Sequence, residues 1–157
     1  MHFKVGEDAI ALQLKDLDGK SVDTAAMREQ VLLLSFQAAF SGPSKTIAPV
    51  LVDAAAKYDQ HGLRIVSIAL DESPDVARRS AKALGYTWPQ CCDGKGWETP
   101  AALRYYVEDV PHLVLIGRDG KIAGLNFYPV DERGIAELHT AIRAALGIQD
   151  KSRGDGR

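Results

Sequence analysis

Residues Val31 to Phe36 (Val-Leu-Leu-Leu-Ser-Phe) form an almost unbroken apolar run. The run is far too short to cross a bilayer, which takes about 20 apolar residues. It also lacks the polar alternation of a strand with one wet face, so it reads as a central strand covered on both sides. Such a strand needs partner strands beside it and amphipathic helices above and below. The 157 residues amount to one domain, long enough to bury most of the apolar surface of the unfolded chain.

The chain supplies those partners in order. Ile10 to Lys15 and Ser21 to Val22 flank an Asp-Gly turn and read as a short hairpin. Pro43 to about Gln60 is predicted helical, with Gly62 as its stop and a kink at Pro49, whose ring nitrogen has no hydrogen to donate. Leu63 to Leu70 is a second buried strand. Pro74 to Leu84 is a helix with Val76, Ser80, Ala83 and Leu84 on one face, ended by Gly85. Thr99 to Val107 is a short helix. His112 to Ile116 and Ile122 to Phe127 flank the turn at Asp119-Gly120 and form an antiparallel hairpin. Asp131 caps a last helix with Ile135, Leu138, Ile142 and Leu146 as its apolar stripe. Strands joined by a helix are parallel with a right-handed crossover, and the late hairpin adds antiparallel strands to the same sheet. The fold class is therefore α/β, a central mixed β-sheet flanked by helices, with an added N-terminal β-hairpin. Residues 1–150 make the domain and 151–157 a flexible polar tail.

Composition narrows the function classes. Lys and Arg number 19 against 21 Asp and Glu, for a net charge of −2, and no basic cluster suggests nucleic acid. No charged-then-apolar leader opens the chain, so it is read as cytosolic or as a mature form without an export signal. Cys91 and Cys92 are the sole cysteines, too few for a disulfide framework or a zinc site, so no metal and no cofactor is expected.

The segment after the first apolar strand is the most telling: Phe36-Gln-Ala-Ala-Phe40-Ser41-Gly42-Pro43-Ser44-Lys-Thr-Ile47-Ala-Pro49. With cysteine at Ser41 and Ser44 it would be the redox loop of a thioredoxin. Val5-Gly-Glu-Asp-Ala-Ile to Leu17-Asp-Gly-Lys, Val110-Pro111, and Leu115-Ile-Gly-Arg-Asp-Gly-Lys-Ile122 complete a match over nearly the whole length. The chain resembles the TlpA/ResA-like thiol–disulfide oxidoreductases of the alkyl-hydroperoxide-reductase/thiol-specific-antioxidant superfamily. That resemblance implies a thioredoxin fold, a cis bond before Pro111 and an extracytoplasmic placement. It also implies catalytic positions at Ser41 and Ser44, where the family carries its redox cysteines. A polypeptide groove would be formed by Val110, Pro111, Phe40, Gly42 and Pro43, with a protein thiol or disulfide, or an extended polypeptide, as partner.

The departures cut against the chemistry. The family's first cysteine works as a thiolate and its second resolves the mixed disulfide. An alcohol is hardly ionised near neutrality and forms no disulfide. The family's Asp or Asn in the strand is Ser35, the Glu of many ResA-like chains is Ile47 (as in thioredoxin itself), and the Trp before the first cysteine is Phe40. Changes at Ser35, Gln37 and Phe40, away from the sulfurs, favour natural divergence over deliberate replacement of two cysteines. The plainer account of Ser41-Gly-Pro-Ser44 is that it starts a helix, with Ser as N-cap and Pro in the first turn. The enzymatic expectation is accordingly an oxidoreductase-family member without redox activity at this site. The alternative is a binding module that holds polypeptide beside the cis-proline without redox chemistry.

Cys91-Cys92, placed in a loop between helices, is a candidate alternative redox pair. Adjacent Cα atoms lie about 3.8 Å apart, below the roughly 4.4 Å of a relaxed disulfide, so a bridge there would be strained. The plainer expectation is that one or both are small buried hydrophobes. His112 would lie near the loop with only Ser41 to activate, and His139 reads as packing or surface on the last helix rather than catalytic.

Overall fold

A computed structural model describes residues 3–148. The tail expected at 151–157 lies outside the described residues. β3 (Val31–Gln37) is the centre of a five-stranded sheet in the order β5-β4-β3-β6-β7. It pairs in parallel with β4 (Leu63–Ala69) and antiparallel with β6 (His112–Ile116). β5 (Gln90–Cys91) extends the parallel side, and β7 (Ile122–Gly124) the antiparallel side. β1 (Gln13–Lys15) and β2 (Ser21–Asp23) make a separate two-stranded hairpin. The mixed sheet with an added N-terminal hairpin is the architecture read from the chain.

Both faces of β3 are dry, as its composition requires. Leu32, Leu34 and Phe36 share one face with Val66, Ile68, Val114 and Ile116, beneath Leu12, Val22 and the α4 residues Ala101 and Ala102. Val31 and Leu33 share the other with Ile65, Leu113 and Leu115, beneath Leu51, Ala54 and Tyr58 of α2 and Leu138 and Ile142 of α5. Alternate strand residues point to opposite faces, so one apolar run seals two cores.

The helix expected over Pro43 to Gln60 is in fact two. α1 (Gly42–Thr46) and α2 (Ala48–Tyr58) meet at Ile47, and a single 3-10 turn, Asp59–His61, follows. Pro49 cannot donate to the carbonyl of Lys45, so the backbone turns before it. α3 (Pro74–Leu84) starts on the Ser73 hydroxyl, which accepts from Val76 N at 3.3 Å, and ends on Gly85 at φ +79°. Its buried residues are Ala77 and Ala81, with Val76, Ser80 and Leu84 half-buried beside them, whereas Ala83 is exposed. The buried face is therefore centred one position away from that expected, which lets small residues bring the helix close to the sheet.

α4 (Pro100–Arg104) is shorter than expected, and β7 stops at Gly124 rather than Phe127. The Phe127 ring folds back onto Gly124, occupying the space where a side chain would stand, and Asn126 at φ +61° makes the turn that carries it there. α5 (Glu132–Leu146) begins on Asp131, whose carboxylate accepts from Gly134 N at 2.8 Å.

Two side chains close edges of the fold. The Tyr105 hydroxyl accepts from Ile10 N and donates to Ile10 O, both at 2.9 Å, pinning the N-terminal segment over the core. The Arg64 guanidinium donates to Leu63 O at 2.8 Å and Asp59 O at 3.1 Å, and pairs with the Asp59 carboxylate at 2.8 Å. Among the described residues no helix is long and apolar enough to cross a membrane. Tyr105→Phe keeps the ring packing and strands both Ile10 groups, so urea unfolding should show a loss of about 1–3 kcal/mol with an unchanged m-value.

Candidate functional site

The sheet reverses direction between β3 and β6, and the register there decides what meets what. Phe36 faces His112, so the chain leaving β3 runs beside Val110 and Pro111 as they enter β6. The Val110–Pro111 bond is cis, as the resemblance implied. Ser41 caps α1: its Oγ accepts from Ser44 N at 3.1 Å. The same hydroxyl donates to Val110 O at 3.2 Å, tying the loop to the strand it faces. Ser44 Oγ in turn accepts from Ala38 N at 3.4 Å. Ser41 and Ser44 are buried, Gly42 and Pro43 are exposed on the first turn, Val110 is half-buried and Pro111 buried. The fold thus gathers Ser41, Ser44, Val110 and Pro111. Phe40 points outward, 62% exposed, its ring 6.3 Å from that of Trp97.

A carboxylate that the sequence reading passed over stands behind the loop. Asp71 follows β4, is 5% exposed, and accepts from Ala39 N at 2.9 Å (Oδ1) and 3.2 Å (Oδ2). Burial pushes its carboxyl above the ordinary carboxylate range, partly offset by the Ala39 N–H. An acid one residue beyond an apolar strand is the signal that could have found it, since strand ends near a change of sheet direction are where sites form. Ser35, at the family's proton-handling position, is fully buried and donates to Gln37 Oε1 at 3.2 Å. His112 stacks edge-on against Phe36 at 5.8 Å. Burial lowers its pKa, opposed by Asp109. It makes no hydrogen bond to Ser41 among the described residues, so no relay activates that hydroxyl.

Cys91 and Cys92 do not lie in a plain loop. Gln90 and Cys91 form β5, pairing with Ser67 and Ile68, because the extended chain there completes the open side of β4. Both cysteines are free thiols. Cys91 is in the core, and burial pushes its thiol up to about 12, with Asp16 and Cys92 adding to the shift. Cys92 donates from Sγ to Asp71 O at 3.3 Å, and burial raises its thiol as well. Neither sulfur has the electropositive setting of a reactive thiolate. They border a cavity of about 280 Å³ between β1 and α4, away from the Ser41 loop. Elsewhere His139 is buried under α2. Its Nδ1 lies 2.7 Å from the Tyr58 hydroxyl, which accepts from Arg143 at 3.1 Å, so it is packing, as read. Among the described residues no group of three or more His, Cys, Asp or Glu is placed to hold a metal ion.

Comparison with known proteins agrees with this geometry. The model of the AhpC/TSA family matches residues 5–125. The thiol-disulfide oxidoreductase ResA of Halalkalibacterium halodurans is 23% identical over 140 residues, covering 89% of this chain and 78% of that protein. ResA of Bacillus cereus is 25% identical over 120 residues, covering 76% and 68%. Among solved structures, a candidate thiol:disulfide interchange protein DsbE of Chlorobium tepidum superposes with TM-score 0.82 at 26% identity, covering 92% of this chain and 99% of that one. A thiol-disulfide oxidoreductase of Bacteroides fragilis superposes at 0.75, with 21% identity and coverage of 85% and 98%.

Asp71 makes the loop pH-sensitive with a definite sign. A carboxyl raised in the fold supports folding most fully below its ordinary value of 3.8, and that support fades as pH rises through the folded value. Asp71→Asn keeps an acceptor for Ala39 and removes the charge. Its melting temperature should therefore gain on the parent's as pH is raised from about 3 to about 7. Asp71→Ala, which also abandons the Ala39 N–H, should cost about 1–3 kcal/mol near pH 3, and that cost should shrink toward pH 7 as the parent loses its own support.

Proposed function

This chain belongs to the AhpC/TSA family, and from that premise we propose that it is a thioredoxin-like member, silent in redox chemistry at its loop, that holds an extended polypeptide beside Val110 and Pro111. The observation that carries the first half is the pair of oxygens at Ser41 and Ser44. Thiol–disulfide exchange needs a thiolate to attack one sulfur and a second thiol to release the product. Both hydroxyls here keep their protons and serve the fold: one caps α1 and bonds Val110 O, the other receives Ala38 N. Cys91 and Cys92 offer no substitute, since burial holds both thiols protonated at neutral pH.

The second half rests on what the exchange of sulfur for oxygen leaves intact. The half-buried backbone at Val110, tied to Ser41 beside the exposed turn of Gly42 and Pro43 and the outward Phe40, is where a partner would approach. An extended segment laid there would bond main chain to main chain beside Val110, with its side chains meeting Phe40 and Pro43. The carbonyl of Val110 has two lone pairs, so the Ser41 bond leaves it one to offer. The resemblance adds an extracytoplasmic placement to the proposal, and residues 1–150 act as the single unit that does this.

Two measurements test it. Reduction of insulin disulfides by this chain should stay at background. Turnover approaching that of a thioredoxin and surviving Cys91→Ser with Cys92→Ser would refute redox silence. Conversely, Ser41→Cys combined with Ser44→Cys should create a pair that oxidises without unfolding, because the Ala38, Pro43 and Pro111 framework remains. A folded double variant whose thiols never pair across a wide redox range would show that the loop is no longer a thiol–disulfide scaffold.

A further inference from the structure

Resting on the reading that polypeptide lies beside Val110 and Pro111, we propose that this surface selects a cationic segment, with a Lys or Arg side chain laid on the Phe40–Trp97 pair between the carboxylates of Glu72 and Glu98. Phe40 and Trp97 are 62% and 43% exposed, and they touch each other rather than the core, at 6.3 Å and 51° between planes. Two chain segments bring them together. Phe40 stands one residue before Ser41, and Trp97 sits in the 3-10 turn Gly96–Glu98. Asp71 links the two: its carboxylate holds Ala39, and the next side chain, Glu72, lies against Gly96, filling the room a side chain there would take. Glu72 therefore lies beside the turn that carries Trp97, and Glu98 follows Trp97 directly.

None of these carboxylates is spent on the fold. The Glu72 and Glu98 carboxylates are exposed and make no ion pair or hydrogen bond with the other described residues, unlike Asp18 with Arg78 or Asp8 with Lys121 elsewhere on the surface. Glu108 and Asp109, just before Val110, are exposed too and form no ion pair among the described residues. Against these four acids the same segments carry two cations, Lys45 and Lys95. An apolar partner residue would cover the rings but desolvate unpaired carboxylates beside them, at a cost. A cation meets both features, since ring faces attract it and the carboxylates pair with it. The acidic surroundings would also draw a basic chain in from solution.

The test uses the full chain and two extended, dye-labelled peptides that share one apolar centre, flanked by arginines in one and by glutamates in the other. Fluorescence anisotropy should give the arginine peptide an affinity at least about tenfold higher, with the gap narrowing as salt is raised. Glu72→Gln with Glu98→Gln should bring the ratio close to one. Trp97→Leu should weaken the arginine peptide several-fold while the circular dichroism spectrum stays that of the parent. Equal affinity for the two peptides, a preference for the glutamate peptide, or a preference untouched by these variants would overturn the cationic selection and leave the polypeptide-holding reading standing. Binding of neither peptide would overturn both.

Discussion

β3 is hydrogen-bonded along both edges, in parallel with β4 from Val31 to Gln37 and antiparallel with β6 from Leu32 to Phe36. Everything else in the molecule is arranged around that double pairing. A one-residue slip against either neighbour would turn Leu33 and Leu115 out of the α2–α5 core and send Phe36 away from Tyr105. The same register aims the end of β3 at the start of β6, where the strands run in opposite directions. The loop that follows has one place to go, against Val110. The site is thus a consequence of strand pairing before it is a consequence of any side chain within it.

Within that site, the Ser41 hydroxyl ties the loop to its surroundings through two bonds. A thiolate at position 41 would accept hydrogen bonds, whereas the Ser41 hydroxyl both accepts from Ser44 N and donates to Val110 O. Asp71 supports the same loop from behind, through Ala39, and the Cys92 thiol donates to the Asp71 carbonyl. Ser41, Ser44, Asp71 and Cys92 are consumed in fixing the loop's shape, while the carboxylates of Glu72 and Glu98 beside it stay exposed.

The parts of this structure that were legible in the sequence are those where one short-range pattern decides the outcome. Val31 to Phe36 could only be a buried strand, and Ser73, Asp131 and Gly85 mark helix ends through local hydrogen bonding and left-handed backbone. The Ser41-Gly-Pro-Ser44 turn and the Val110–Pro111 step were legible as a motif, and the fold set them side by side. What escaped was set by distant partners. Gln90–Cys91 is a strand only because Ser67 and Ile68 have a free side, and two residues carry no period. β7 ends early because the Phe127 ring returns to Gly124, a contact with no local signature. Asp71 reads as an ordinary turn acid until Ala39, 32 residues earlier, appears above it.

The shortness of β5 has its own consequence, which Arg64 answers. β5 pairs with β4 at Ser67 and Ile68 alone, so the first half of β4 has no strand partner on that side among the described residues. Gly62 O bonds Val31 N across the β3 side, which turns the Leu63 carbonyl toward the uncovered side, where the Arg64 guanidinium takes it. A guanidinium lying along a strand margin, anchored at its far end by Asp59, denies a second chain the acceptor it would need to add itself to the sheet. One charged side chain thereby takes the acceptor on β4 that a longer β5 would have used.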